Sequence, residues 1–194
     1  MPILTGPEIK RLAEGNFGVR GVRGERIVIR PFDAARCGPA SYDLHLGEVL
    51  RRYKHDVERG YIDPLDPPET FDVPHYQGLD GWMLQPGRVY LGVTKEHTET
   101  HRLAAQVGGR SSWGRYGLAV HVTAGFIDPG FCGPITLELV ATQPILVRPG
   151  CKIAQIVYTT ILGEYQPYQG RYQNAGRVPV ASRFHYSDPT GGTE

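Results

Sequence analysis

Apolar residues in this chain fall into short alternating runs, and Pro-Gly turns stop each run before it lengthens. The segments RIVIR (26–30), YDLHL (42–46), VYLGV (89–93), LAVHV (118–122), ITLELV (135–140) and IAQIVY (153–158) all read as strands. Gln85-Pro86-Gly87, Asp128-Pro129-Gly130 and Arg148-Pro149-Gly150 are turn signals between them. With 25 Gly and 16 Pro in 194 residues and no low-complexity tract to absorb them, such turns must be frequent. One segment near the start reads as a helix. Thr5 is its cap, Pro7 suits the first turn, Glu8 completes a capping-box spacing, and Ile9, Leu12 and Ala13 form its apolar stripe before Gly15. Many short strands with few helices predict a mainly β domain, a barrel or sandwich, rather than a parallel sheet with crossover helices. The length suits one domain over residues 1–194. From Gly163 onward the apolar periodicity fades into a Tyr-, Gln-, Gly- and Arg-rich tail expected to lie over another surface.

Charge and cysteine content narrow the function classes. A formal net charge of +1 gives no global field toward nucleic acid or an anionic membrane, so an anionic ligand needs a local basic cluster. No apolar run approaches the ~20 residues of a membrane span. The N-terminus carries no signal-peptide pattern. Cys37, Cys132 and Cys151 are odd in number and widely spaced, which argues for free thiols and a cytoplasmic setting. Neither a Walker A sequence, a GxSxG elbow nor HExxH occurs. The zinc-deaminase signature, H-x-E followed by P-C-x-x-C, is also missing, so no zinc is expected to activate water here. His97 and His101 are four apart, but KEHTETH reads as an exposed loop or strand end with no third ligand nearby. GVRGVRGE (18–25) has GxxGxxG spacing without a following helix and reads as a surface turn.

Residues 107–138 carry most of the chemistry. Arg110, Ser111 and Ser112 follow two glycines, placing a guanidinium and two hydroxyls on one tight segment that suits a phosphate. If a helical turn starts at Ser111, Arg115 lies on the same face. SSxxR is equally the pattern of a capped helix with a solvated Arg. Farther on, alternation sets Thr136, Glu138 and Val140 on one strand face, opposite Ile135, Leu137 and Leu139. On an exposed face Glu138 is an ordinary solvated carboxylate; lining a pocket, it is a candidate general base.

GRSSWGRYGL, HVTAGFIDPGF and GPITLEL, in this order and spacing, closely resemble dCTP deaminases, relatives of the trimeric dUTPases. The likeness extends to GPASYDLHLG (38–47), LQPGRVYLGVT (84–94), VRPGCKIAQIVY (147–158) and RYQNAGRVPVASR (171–183), while residues 48–83 match poorly and read as a variable insertion. The resemblance implies a distorted β barrel forming a homotrimer, with sites at subunit interfaces and Mg2+ arriving with the triphosphate. It also implies roles. Glu138 matches the carboxylate that deprotonates water, and Ser111, Arg115 and the carbonyl of Ala124 match the groups that position it. Arg110 and Ser112 match triphosphate contacts that reach a nucleotide held mostly by a neighbouring subunit. Val122 and Thr123 lie on the base-reading segment, and Asp128 sits where the deoxyribose is met. In the tail, Arg171 and Tyr172 stand in the family's Lys-Tyr-Gln-Gly-Gln pattern, whose second Gln has no counterpart here. Arg171, Arg177 and Arg183 together favour an anionic ligand.

The implied activity is zinc-independent deamination of dCTP to dUTP and ammonia, with dTTP as an inhibitor acting through His121–Gly125. Arg110 and Val122 fit the deaminase-only pattern. Gly114, Gly125-Phe126 and Gln155 fit the alternative, a bifunctional enzyme that also hydrolyses the triphosphate to dUMP and pyrophosphate. A catalytically silent nucleotide-binding regulator is the third reading, disfavoured because Ser111, Arg115 and Glu138 are intact.

Overall fold

The computed structural model describes residues 2–15, 24–54, 60–64 and 66–182. In chain order the elements are α1 (Gly6–Ala13), β1 (Arg26–Arg30), a short 3-10 turn (Ala34–Arg36), β2 (Tyr42–His45), β3 (Arg51–Tyr53), β4 (Thr70–Asp72), β5 (Trp82–Leu84), β6 (Val89–His101), β7 (Leu103–Gly109), α2 (Ser111–Arg115), β8 (Leu118–Ala119), β9 (Phe126–Ile127), β10 (Cys132–Ala141), β11 (Ile145–Val147) and β12 (Lys152–Thr160). The fold is mainly β, as expected. One sheet runs β4-β3-β6-β10-β8 with β1 also on β6, a second runs β2-β12-β7-β9, and β5 pairs with β11. Both larger sheets face one core, but their hydrogen bonding does not close into a ring among the described residues, so the expected barrel is an open, distorted one.

Alternation explains the core. Along β10, Ile135, Leu137, Leu139 and Ala141 are buried while Thr136, Glu138 and Val140 are half-buried on the other face. Burying a side chain such as Leu137 is worth about 2 kcal/mol, and it belongs to the same apolar core as Tyr42, Leu44, Trp82 and Tyr158.

Several local expectations are corrected. Thr5 sits at the cap of α1 in extended geometry but makes no side-chain cap bond. The capping box fails because Arg11 Nε takes the Glu8 carboxylate at 2.8 Å. Gly15 does follow the helix at a positive φ of 78°. Of the two readings of KEHTETH, the strand end holds and the loop does not: the segment is the last part of β6, paired with β1 from Arg26↔His101 to Arg30↔His97. Its inward residues are polar, with Glu96, Thr98 and Thr100 all fully buried. Glu96 is satisfied by the backbone N–H of His45 at 2.9 Å, by His45 Nδ1 at 2.8 Å and by Arg36 at 2.8 Å. A carboxylate so completely paired tolerates burial. Residues 48–83 contribute β3, β4 and β5, which extend one sheet edge and pair with β11. Of GVRGVRGE, residues 18–23 lie outside the described residues, as does Arg183.

Tyr158 is the converse of Glu96. Its ring is fully buried on β12, and its hydroxyl has no hydrogen-bond partner among the described residues. Removing an unpaired buried hydroxyl relieves a desolvation cost, so Tyr158→Phe should raise stability by about 1 kcal/mol. A thermal melt showing the variant less stable than the parent would refute this.

Candidate active site

The outward face of β10 is the floor of a cavity of about 650 Å3. Thr136, Glu138 and Val140 line it, and the β6 residues paired with Glu138 and Val140, Leu91 and Val89, continue it sideways. One wall is the segment from His121 to Asp128, which hangs on β7 through the pairs Ala105↔Ile127 and Gln106↔Phe126. Gly125 fixes how closely that wall approaches. Its carbonyl accepts from Val107 N–H at 2.8 Å, and a Cβ there would lie 2.6 Å from the Val107 carbonyl oxygen. Any side chain at 125 must therefore push the wall off β7.

The tail covers the other side. Tyr168, Tyr172, Ala175, Val180 and Ser182 line the cavity. They are fastened by Gln173, whose Nε2 donates to the Gly130 carbonyl at 2.8 Å and whose Oε1 accepts from Cys132 N–H at 2.8 Å. Beyond that clasp, Val180 N–H donates to Thr136 Oγ1 at 3.2 Å and Ser182 N–H to the Tyr53 hydroxyl at 2.8 Å. Tyr53 belongs to β3, so the 48–83 stretch reaches the cavity too.

Of the residues singled out from sequence, Glu138, Val122, Thr123, Ala124, Asp128 and Tyr172 line the cavity. Arg110, Ser111, Ser112, Arg115, Gln155 and Arg171 do not. Arg171 is half-buried immediately before Tyr172. A helical turn does start at Ser111, and Ser111, Ser112 and Arg115 are all exposed on α2. Arg110 precedes α2, its Nε 3.3 Å from Asp43, which Lys152 also approaches at 3.5 Å. Gln155 stands opposite Asp43 in the β2–β12 ladder, so it belongs to this second, cationic patch. Arg115 forms no ion pair with Glu138 within the chain.

The group that does face Glu138 is His121, whose Nδ1 lies 3.5 Å from Oε2. That separation is too long for a hydrogen bond, and the imidazole nitrogen is buried without a partner among the described residues. Sequence reading gave His121 no role beside Glu138, although its place at the end of an apolar strand was a signal.

Charge divides the two patches. The cavity lining holds two carboxylates, Asp128 and Glu138, and among the described residues no Lys or Arg. Its rim exposes Val122, Phe126 and Val89 by roughly half. Such a pocket suits a planar apolar ring with a polar edge, and it repels an unaccompanied polyanion.

A separate group forms where β6 pairs with β10. His97, Glu99 and Cys132 bring their ligand atoms within 4.8 Å of one another. Spacing could not reveal it, because Cys132 meets Glu99 only through the strand ladder. Burial raises the Glu99 carboxyl, but hydrogen bonds from His101 and His97 outweigh it and hold the group below the usual range. Burial, aided by the Glu99 charge, pushes the Cys132 thiol up. All three cysteines are free, as expected.

The family profile described as DCD, dCTP deaminase-like, matches residues 3–161. A Clostridium beijerinckii protein named dCTP deaminase, dUMP-forming, is 44% identical over 152 residues, covering 78% of this chain and 84% of its own length. A Cytophaga hutchinsonii protein of the same name is 45% identical over 183 residues, covering 91% and 94%. Among solved structures, 2'-deoxycytidine 5'-triphosphate deaminase from Agrobacterium tumefaciens superposes with a TM-score of 0.56 at 23% identity, covering 80% of this chain. The match spans 47% of that longer chain, and at this identity it bears on the fold alone.

Proposed function

Because the chain belongs to the dCTP deaminase-like family, we propose that it is a dCTP deaminase of the dUMP-forming kind, removing ammonia and pyrophosphate from dCTP in one site. The observation that carries deamination is Glu138, half-buried on the cavity floor with no Lys or Arg in the lining among the described residues. Water adds to C4 of cytosine as Glu138 Oε takes one of its protons. Glu138 delivers that first proton to N3, then takes the second proton from the new C4 hydroxyl and passes it to the amino group; the C–N bond breaks, ammonia leaves, and C4 keeps the oxygen as a carbonyl. The backbone around Val122 and Thr123 reads the base edge, and the Ala124 carbonyl orients the water. Asp128 meets the sugar.

The cations must then come from elsewhere. Arg110, Ser111, Ser112 and Arg115 form a phosphate-binding set that lies off the cavity of its own chain. In a homotrimer they reach the cavity of the next subunit, where Arg115 and Ser111 complete the water site and Arg110 and Ser112 hold phosphates. Gln155 shares that patch, and Arg171 with Tyr172 approaches from the tail. A magnesium ion fits as a passenger on the triphosphate, since two carboxylates offer no ready cage and Mg2+ keeps much of its water.

The dUTP-only reading of the sequence yields to its alternative. Relatives at 44% and 45% identity carry the dUMP-forming name, and Gly125 supports the same reading through its contact with Val107. With no side chain there, the wall stays on β7 and leaves room beside Asp128 for a water that attacks the α-phosphorus as the bond to the bridging oxygen breaks. Chromatography of the products from dCTP tests this. The expected result is dUMP, pyrophosphate and ammonia in equal amounts; accumulation of dUTP without pyrophosphate would overturn the second step and leave deamination standing.

A further inference from the structure

We propose that His97, Glu99 and Cys132 bind a divalent cation of the zinc type, at a site separate from the cavity. None of the three lines the cavity. His97 Nε2 lies 3.2 Å from Glu99 Oε1 and 3.7 Å from Cys132 Sγ. Around zinc, with bonds of about 2.0–2.3 Å in a tetrahedron, neighbouring N and O ligands sit about 3.3 Å apart and N and S about 3.6 Å apart. The observed separations are already those of two tetrahedral edges.

The surroundings match a metal site as well. Glu99 turns Oε1 toward His97, while its other oxygen, Oε2, is held by His101 Nε2 at 2.8 Å and by Arg26 at 3.2 Å. One oxygen is thus available to a metal and the other is oriented by outer partners, an arrangement typical of carboxylate ligands. Thiolate, imidazole and carboxylate together favour zinc over magnesium or calcium, which take oxygen ligands. On binding, the Cys132 thiol releases its proton to solvent and its sulfur bonds the metal; no electron transfer is involved. The three ligands leave a fourth position for water.

Cobalt(II) titration followed by absorption tests the site, because a thiolate ligand adds a near-ultraviolet charge-transfer band. The full-length protein should bind one Co2+ per chain with that band, and Zn2+ should displace it. Cys132→Ser should abolish the band, and His97→Gln should weaken Co2+ binding by at least ~10-fold. Cys151→Ser should leave both unchanged, and circular dichroism of all three variants should match the parent. A band that survives Cys132→Ser, or the absence of stoichiometric binding in the folded parent protein, would overturn the proposal.

Discussion

Glu138→Gln should lower deamination of dCTP by at least ~100-fold, the scale of losing a general base, while dCTP binding stays near the parent value. The expectation is sharp because the substitution changes so little else. Gln keeps the size and one acceptor of Glu, and the side chain sits on the solvent-side face of β10, away from Leu137 and Leu139. His121 Nδ1 faces the carboxylate without a hydrogen bond, so no buried pair is broken. Only proton acceptance is lost. Deamination is read by ammonia release and binding by calorimetry with dCTP. Turnover near the parent rate would exclude Glu138 as the base. Loss of binding would instead assign it to recognition.

Mixing two dead subunits should restore activity. Arg115→Ala alone is expected to fall as far as Glu138→Gln, because a preorganised cation beside a developing charge is commonly worth a factor of 100 or more. If Glu138 of one subunit works with Arg115 of the next, a co-expressed equal mixture of the two variants contains sites with both intact residues. With random assembly about a quarter of the sites are whole, so activity should climb from near zero to about a quarter of the parent rate. The lack of any Lys or Arg in the cavity lining among the described residues, and the exposed position of Arg115 on α2, motivate this arrangement. No recovery in mixtures that native mass spectrometry shows to contain mixed trimers would place both residues in one chain's site.

The sequence was most legible where the period of two governed both faces. The inner and outer faces of β10 stand where alternation put them, because the strand has one apolar side to hide, whereas β1 buries Ile27, Val28 and Ile29 alike. It was least legible in KEHTETH, where the buried side is polar. Glu96 is hidden by partners from β2 and the 3-10 turn, and no local pattern announces a carboxylate that long-range contacts will satisfy. β8 is shorter than LAVHV suggested, since the chain leaves the sheet after Ala119 to build the cavity wall. The site shows the same split. Cavity residues on β10 and on the wall could be found by motif. The neighbourhood of His121, the place of Tyr53 on β3 and the pairing of Cys132 with Glu99 depend on which strands meet.

Gln173 holds the tail by gripping main-chain groups on both sides of Phe131, the Gly130 carbonyl and the Cys132 N–H. The grip uses main-chain groups alone, yet the turn beneath it is not free to drift: Gly130 has a φ of +91°, and a Cβ there would lie 2.9 Å from Pro167 and from the Tyr168 nitrogen. Ala175 and Val180, by contrast, line the cavity without lending a side-chain hydrogen bond to that attachment. Substitutions at these tail positions therefore alter the cavity lining while the Gln173 grip stays as it is.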